Sequence, residues 1–300
     1  MNHPHRVMPG HPGAREACDM ITRPDVEKST TAATRHVWAP RWWLVFPIGL
    51  VLWVATVADT FYTNNLILLP TVVLLGSFLV PVTAVVWYLD HDPSPELSPR
   101  RIVSAFIFSG VLGALAASVL EFWLVFGPGL FGTLKVGFIE ELVKGVLVVL
   151  FALGIRSYTT RDGMVLGATV GFGFAALESS GYALASLFVV QGNQLFLSLP
   201  SVVLNELVRG LLAPFGHGLW TAILGGVIFH AARNGRLRPT LAILITYVGV
   251  SLLHAAFDFF GGIVGYIVIS VIGIAPLVYI WLREDRGLPF RRAAHRIQGA

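Results

Sequence analysis

Eight apolar runs, each close to the length of a helix that crosses a bilayer, dominate this 300-residue chain. A membrane span needs roughly 20 mainly apolar residues. Such runs cover residues 42–59, 66–89, 102–126, 130–153, 164–190, 211–232, 241–260 and 263–282. Only 13% of residues are charged and 55% are hydrophobic, against roughly 25% charged in a soluble globular chain. So little charge cannot solvate a water-facing exterior, so the surrounding solvent is mostly lipid. In lipid every backbone polar group must be satisfied within the chain, which long apolar runs achieve as helices. The predicted fold class is all-α: a polytopic integral membrane protein of about eight transmembrane helices.

Charge placement sets the expected orientation. The net charge is +4, yet the basic residues fall in short clusters between apolar runs, which signals topology rather than a nucleic-acid surface. Basic residues in loops mark the cytoplasmic side. With both termini in the cytoplasm, 18 of the 21 Lys and Arg residues fall in inside segments. The exceptions are Lys135 and Lys144 within the fourth run and Arg209 at the mouth of the sixth. Trp42, Trp43, Trp87, Tyr88, Tyr279 and Trp281 lie near the cytoplasmic boundaries, as interfacial aromatics do. This pattern predicts a multi-pass protein of the cell membrane, N-in and C-in.

The predicted organisation is a disordered cytoplasmic tail over 1–39, a transmembrane region over 40–282 and a basic cytoplasmic tail over 283–300. The first segment lacks the apolar core of a cleavable signal peptide. The stretch 191–210 is mixed in character and predicts a short interfacial helix. Cys18 is the single cysteine, so neither an internal disulfide nor a Cys-type zinc site is possible.

Ionisable side chains at bilayer depth cost several kcal/mol on insertion scales, so each needs an explanation. Here they gather in four consecutive runs. The fourth holds Glu140, Glu141 and Lys144, the fifth Glu178, the sixth His217, and the seventh His254 and Asp258. Residues four apart share a helix face, which pairs Glu140 with Lys144, Phe174 with Glu178, and His254 with Asp258. A rise of about 1.5 Å per residue brings Glu140, Glu178, His217 and His254 to one layer in the outer half of the bilayer. A carboxylate there could activate water as a general base. Histidines and carboxylates could hold a zinc ion that acidifies water, or an imidazole could stabilise an oxyanion directly. Glycines at 137, 145, 171, 173, 181, 216 and 218 would let helices approach closely around this layer.

These residues carry a resemblance. Glu140-Glu141-Leu142-Val143-Lys144 matches EExxK, Phe174 to Glu178 matches FxxxE, and His254 to Asp258 matches HxxxD, with His217 between the last two. In this order on successive helices, over roughly residues 100–260, the chain resembles the PrsW family of intramembrane proteases, more distantly the CAAX-processing membrane proteases. The resemblance implies cleavage of membrane-anchored proteins, such as an anti-sigma factor, near the extracytoplasmic leaflet. Within that reading Glu140 or Glu141 is the general base, and Glu140 is favoured because Lys144 shares its face. Glu178, His217 and His254 are candidate metal ligands or oxyanion stabilisers, and Asp258 is a ligand or an orienter. Lys144 and Phe174 are supporting residues. Zinc is the ion that imidazole and carboxylate suit best.

Each residue also has a structural reading. Glu140 and Lys144 could be a bundle-stabilising ion pair, although two adjacent glutamates point about 100° apart, more than one lysine readily serves. His217 could cap a helix, and His254 with Asp258 could be a self-satisfied pair. Glu178 has no partner nearby in sequence. Glu121, Glu206 and Arg209 fall near the outer boundary, where water would solvate them. Lys135 would snorkel outward, and His230 and Asp59 would be interfacial. An ion-coupled transporter would use the same buried Glu and His, but transporters carry inverted repeats, and none is visible here. A non-catalytic membrane scaffold is the third reading.

Overall fold

A computed structural model of the chain describes residues 41–91, 94–127 and 129–297, with side chains described as far as Leu282. The tail expected over 1–39 lies outside the described residues, as do Pro128 and the last three positions. The described chain is mostly helical. Its helices are α1 (Trp42–Thr63), α2 (Leu69–His91), α3 (Pro99–Phe108), α4 (Ala114–Leu124), α5 (Leu130–Ala152), α6 (Thr160–Ser186), α7 (Leu199–Leu212), α8 (His217–Ala232), α9 (Leu241–Phe260) and α10 (Gly262–Ile297).

Local chemistry explains where these helices start. Ser98 accepts from the Arg101 N–H ahead of Pro99, and Thr159 accepts from the Asp162 N–H while donating to the Asp162 carboxylate. Ser198 and Thr240 cap α7 and α9 through Ser201 and Ile243. Such caps satisfy the orphan N–H groups of a first helical turn. Gly129 enters α5 at φ +97°, a conformation that favours glycine.

Six helical stretches are long and apolar enough to cross a membrane by length and composition: Trp42–Thr63, Leu66–His91, Pro99–Leu124, Leu199–Ala232, Leu241–Phe260 and Gly262–Leu282. This is a multi-pass membrane architecture, and it is two short of the eight spans expected. The difference lies in α5 and α6, of 23 and 27 residues, whose polar side chains lower their apolar character. Three boundaries also differ. The fifth run ends at Ser186, because residues 188–197 form an antiparallel hairpin, β1 (Phe188–Gln191) and β2 (Gln194–Leu197), with Phe188 opposite Leu197. That hairpin is the exception to an all-α fold. The interfacial helix expected in 191–210 is α7, joined to α8 by one 3-10 turn, so the sixth run is a 34-residue broken helix. Finally, α10 continues through Ile297 into residues expected to form a tail.

At the centre lies α6, packed against α8 along its length and against α2, α3, α5 and α7 elsewhere. A Cβ on Gly163, Gly167 or Gly171 would fall on the carbonyl oxygens of Gly225, Thr221 and His217, respectively. The pairs run in opposite directions, so α6 and α8 are antiparallel and meet backbone to backbone every fourth residue. Small residues at that spacing allow this approach in a membrane, where association rests on close packing rather than on a hydrophobic effect. One turn of π-helix, Ser109–Gly113, brings the α3–α4 segment onto the same helix, with Ser109 Oγ donating to Val170 O at 3.0 Å. On the other side, Gly137 of α5 leaves no room for a Cβ against Ser251 and Ala255 of α9. These two seams set the depths at which α5, α6, α8 and α9 present their polar side chains.

Candidate active site

The centre of the polar cluster is Lys144, fully buried on α5. Its ammonium has three N–H groups and meets three acceptors: Glu141 Oε1 at 2.6 Å, His217 Nδ1 at 2.8 Å and Glu140 Oε2 at 3.3 Å. The sequence argument that one lysine poorly serves both glutamates is corrected here. Glu141 at i−3 and Glu140 at i−4 are both helix neighbours of Lys144, and its long stem lets the ammonium lie between them. The ammonium also lies 4.5 Å from the centre of the buried Phe174 ring, a cation–π contact that accounts for the phenylalanine one turn before Glu178.

His217 is the first residue of α8. Because an ammonium only donates, His217 Nδ1 accepts from Lys144, which places the imidazole proton on Nε2. That nitrogen donates to Glu178 Oε2 at 2.8 Å. His254 on α9 donates from Nδ1 to Glu141 Oε1 at 3.0 Å. Its Nε2 faces Asp258 Oδ2 at 3.3 Å and Glu140 Oε2 at 3.7 Å. The two imidazole centres are 4.9 Å apart. Thus Glu140, Glu141, Lys144, Phe174, Glu178, His217, His254 and Asp258 lie in one connected cluster. Of these, Asp258 is the most open, at 40% side-chain exposure.

Glu178, read as lacking a local partner, has a distant one. Arg209 on α7 donates from Nη2 to Glu178 Oε2 at 2.7 Å and from Nε to Ser179 Oγ at 2.8 Å. The same guanidinium stacks 4.4 Å over Tyr182. Arg209 is therefore paired, not simply solvated as its position in the sequence suggested. Glu206 is also corrected: it is buried and accepts from Ser77 Oγ at 2.8 Å. Glu121 is half-buried, and its Oε1 is buried with no hydrogen-bond partner among the described residues. Lys135 donates to Leu124 O at 2.9 Å in an exposed position, and His230 is exposed. Trp220 is a member the sequence did not single out. It stacks on His254 with ring centres 4.7 Å apart and meets His217 edge-on. Its signal was the HGLW spacing, which puts Trp220 on the His217 face three residues on.

The chain matches the family model described as PrsW family intramembrane metalloprotease over residues 98–281. It belongs to that family. Among curated proteins, Protease PrsW of Halalkalibacterium halodurans is 27% identical over 123 residues, which is 41% of this chain and 50% of that protein. The chain thus spans about half the length of the curated relative it matches. No solved structure matches the chain. The matched region of this PrsW family member contains every residue of the polar cluster.

Whether a metal suits this cluster is a question of donors and charge. Ligand atoms of Glu140, His217 and His254 all lie within 4.8 Å of one another. Two imidazoles and a carboxylate are the donor set of a catalytic zinc site. The trio contains Glu140 where the sequence reading placed Glu178. His254 is already oriented for such a role, because its Nδ1–H donates to a carboxylate and its Nε2 points into the cluster. Four carboxylates (Glu140, Glu141, Glu178 and Asp258) face two fixed cations (Lys144 and Arg209). With neutral imidazoles two negative charges remain, which a divalent cation would balance. The residues present fit the group that the family description implies, with His217 exchanging one of its two present bonds, from Lys144 at Nδ1 or to Glu178 from Nε2, for the ion.

Proposed function

We propose that this protein is a zinc-dependent intramembrane peptidase that hydrolyses peptide bonds of membrane-anchored proteins near the extracytoplasmic leaflet. In this reading α5 and α6 also span the cell membrane, making eight crossings with both termini cytoplasmic. Support for that topology comes from the helix lengths and from the clustering of basic residues in alternate loops. A single-pass protein such as an anti-sigma factor is the proposed substrate.

The observation that carries the proposal is the gathering of two imidazoles and four carboxylates, from four helices, into one network around a buried lysine that touches three of them. A structural ion pair needs two groups, and this cluster has seven. Glu140, His217 and His254 would hold the metal, and a bound zinc ion supplies Lewis acidity to water and to the scissile carbonyl. Glu178 then acts as general base, accepting the proton of the attacking water and returning it to the departing amide nitrogen. Arg209, itself held by Ser179 Oγ, fixes the carboxylate of Glu178 for that transfer. Glu141 orients His254 through Nδ1, Lys144 orients Glu141, and Asp258 sits at the open side beside His254 Nε2. Phe174 and Trp220 line the imidazoles with apolar surface that excludes bulk water and strengthens each charge interaction.

The test is reconstitution of purified protein in liposomes with a tagged single-pass substrate. Wild type should release a discrete cleavage product that Glu178→Gln and His254→Ala do not. A proton-coupled flux with intact substrate would replace this reading with a transporter.

A further inference from the structure

Helices α5 and α9 touch at one end and part at the other. They meet at Gly137, and the Tyr247 hydroxyl ties them by donating to Phe138 O at 2.8 Å. Beyond that clasp, toward the loop that joins α8 to α9, a cavity of about 480 Å³ separates them. On α5 it follows residues 141–150, a stripe about 14 Å long at 1.5 Å per residue. Leu224 and Ile228 of α8 form its buried floor. Its rim includes Val146 and Leu244, both about half exposed to the surroundings.

The groove is apolar along its length and charged at its ends. Arg238 lies at the loop end. At the other end is Glu141, which belongs to both the groove and the polar cluster. Its Oε1 takes Lys144 and His254, but its Oε2 is buried with no hydrogen-bond partner among the described residues. An unpaired carboxylate oxygen in a dry site costs free energy. An acyl chain would fill the groove and leave that oxygen unpaired. A peptide does both things: apolar side chains fill the stripe, and where the helix gives way to extended chain each residue offers a free N–H.

We infer that this groove receives the transmembrane helix of the substrate, with the first unwound backbone N–H groups meeting Glu141 Oε2. The inference rests on the peptidase reading and adds its entry route. A substrate helix lying between α5 and α9 over the inner half of the membrane delivers its outer end to Glu140, Glu178 and the two histidines. The extended chain that hydrolysis requires begins where the groove ends.

The experiment uses the full chain with Cys18→Ser as a cysteine-free background. Single cysteines are placed at Val146 and Leu244, and at the lipid-facing controls Leu115 and Val264. The probe is a tagged single-pass protein whose apolar helix of roughly 20 residues carries one cysteine, walked along its inner half. Crosslinks from Val146 and Leu244 should follow the 3.6-residue helical period of the probe and exceed the controls. Crosslinks equal to the controls, as for a groove filled with lipid or with a second copy, would overturn the inference. As a second measurement, Val146→Trp and Leu244→Trp should slow cleavage of the membrane probe by about tenfold or more. Cleavage of a short soluble peptide spanning the same bond should stay within about twofold, because it makes no use of the groove. Wild-type cleavage with no effect of either tryptophan defeats the groove alone, whereas no cleavage of either probe by wild type defeats the peptidase reading.

Discussion

Lys144 Nζ and His217 Nδ1 lie 2.8 Å apart across 73 residues of sequence. This contact turns two glutamates on α5 and an imidazole on α8 into one unit, because the ammonium has a proton for each of them. Replacing Lys144 with Met removes all three donors at once and leaves two buried carboxylates uncompensated. Breaking a buried ion pair in this way costs about 3–5 kcal/mol. Lys144→Met should therefore melt at a clearly lower temperature in detergent and lose nearly all activity. Lys144→Arg should not restore activity, since a planar guanidinium cannot meet three convergent acceptors as an ammonium does. Wild-type melting in Lys144→Met would show that this hub carries no structural load.

Glu140 and Glu178 are both acidic neighbours of His217, at 3.7 and 2.8 Å, but the proposed roles differ. Glu140→Gln should lower both the bound zinc, measured by elemental analysis, and the activity. Glu178→Gln should keep its zinc and lose activity by about 100-fold or more, the size of a general-base contribution. Chelator treatment of wild type should abolish cleavage, and added zinc should restore it. If Glu178→Gln loses its zinc while Glu140→Gln retains it, the two roles are exchanged.

Arg209 holds Glu178 and Ser179 with two different nitrogens of one rigid fork. Arg209→Lys keeps the charge and cannot make both bonds at once. Its kcat should fall by about tenfold or more with KM little changed, because it positions the base without contacting the substrate. Unchanged kcat would mean that Glu178 needs no orientation from α7. The lysine keeps an ion pair with Glu178 in this part-buried position, so the melting temperature should move little.

Hydropathy and charge spacing were enough to pick out Glu140, Glu141, Glu178, His217, His254 and Asp258 as neighbours, because an ionisable group in an apolar run stands out on its own. The partners that hold them were harder to read. Arg209 reaches Glu178 only because the hairpin folds α7 back beside α6, a contact between residues 31 apart. The hairpin itself was hidden because its first strand read as the end of the fifth run and its second as part of the mixed stretch 191–210. Its one local signal was Gly192-Asn193 between two apolar quartets, with Gly192 at φ +60°. Trp220 was invisible for the opposite reason, since an aromatic residue inside an apolar run looks like any other core residue. Glu206 looked solvated because depth was judged by distance along the chain, whereas its burial is set by Ser77 on α2.

The seam between α6 and α8 gives a prediction with its own control. Gly167 and Gly171 face backbone atoms of Thr221 and His217 with no space for a Cβ, whereas Gly181 on the same helix faces open space. Adding a methyl group at a site that cannot yield typically costs about 1–3 kcal/mol. In an exposed helical position the same change stabilises by roughly 0.5–1 kcal/mol through the unfolded chain. Gly167→Ala and Gly171→Ala should lower the melting temperature, and Gly181→Ala should leave it unchanged or raise it. Gly171→Ala has a second consequence, because it pushes directly on the carbonyl of His217. Its remaining folded fraction should show weaker zinc retention than Gly167→Ala at matched stability, as the imidazole is displaced from Lys144 and Glu140. Equal zinc retention in the two variants would mean that the start of α8 moves without carrying the His217 ring with it.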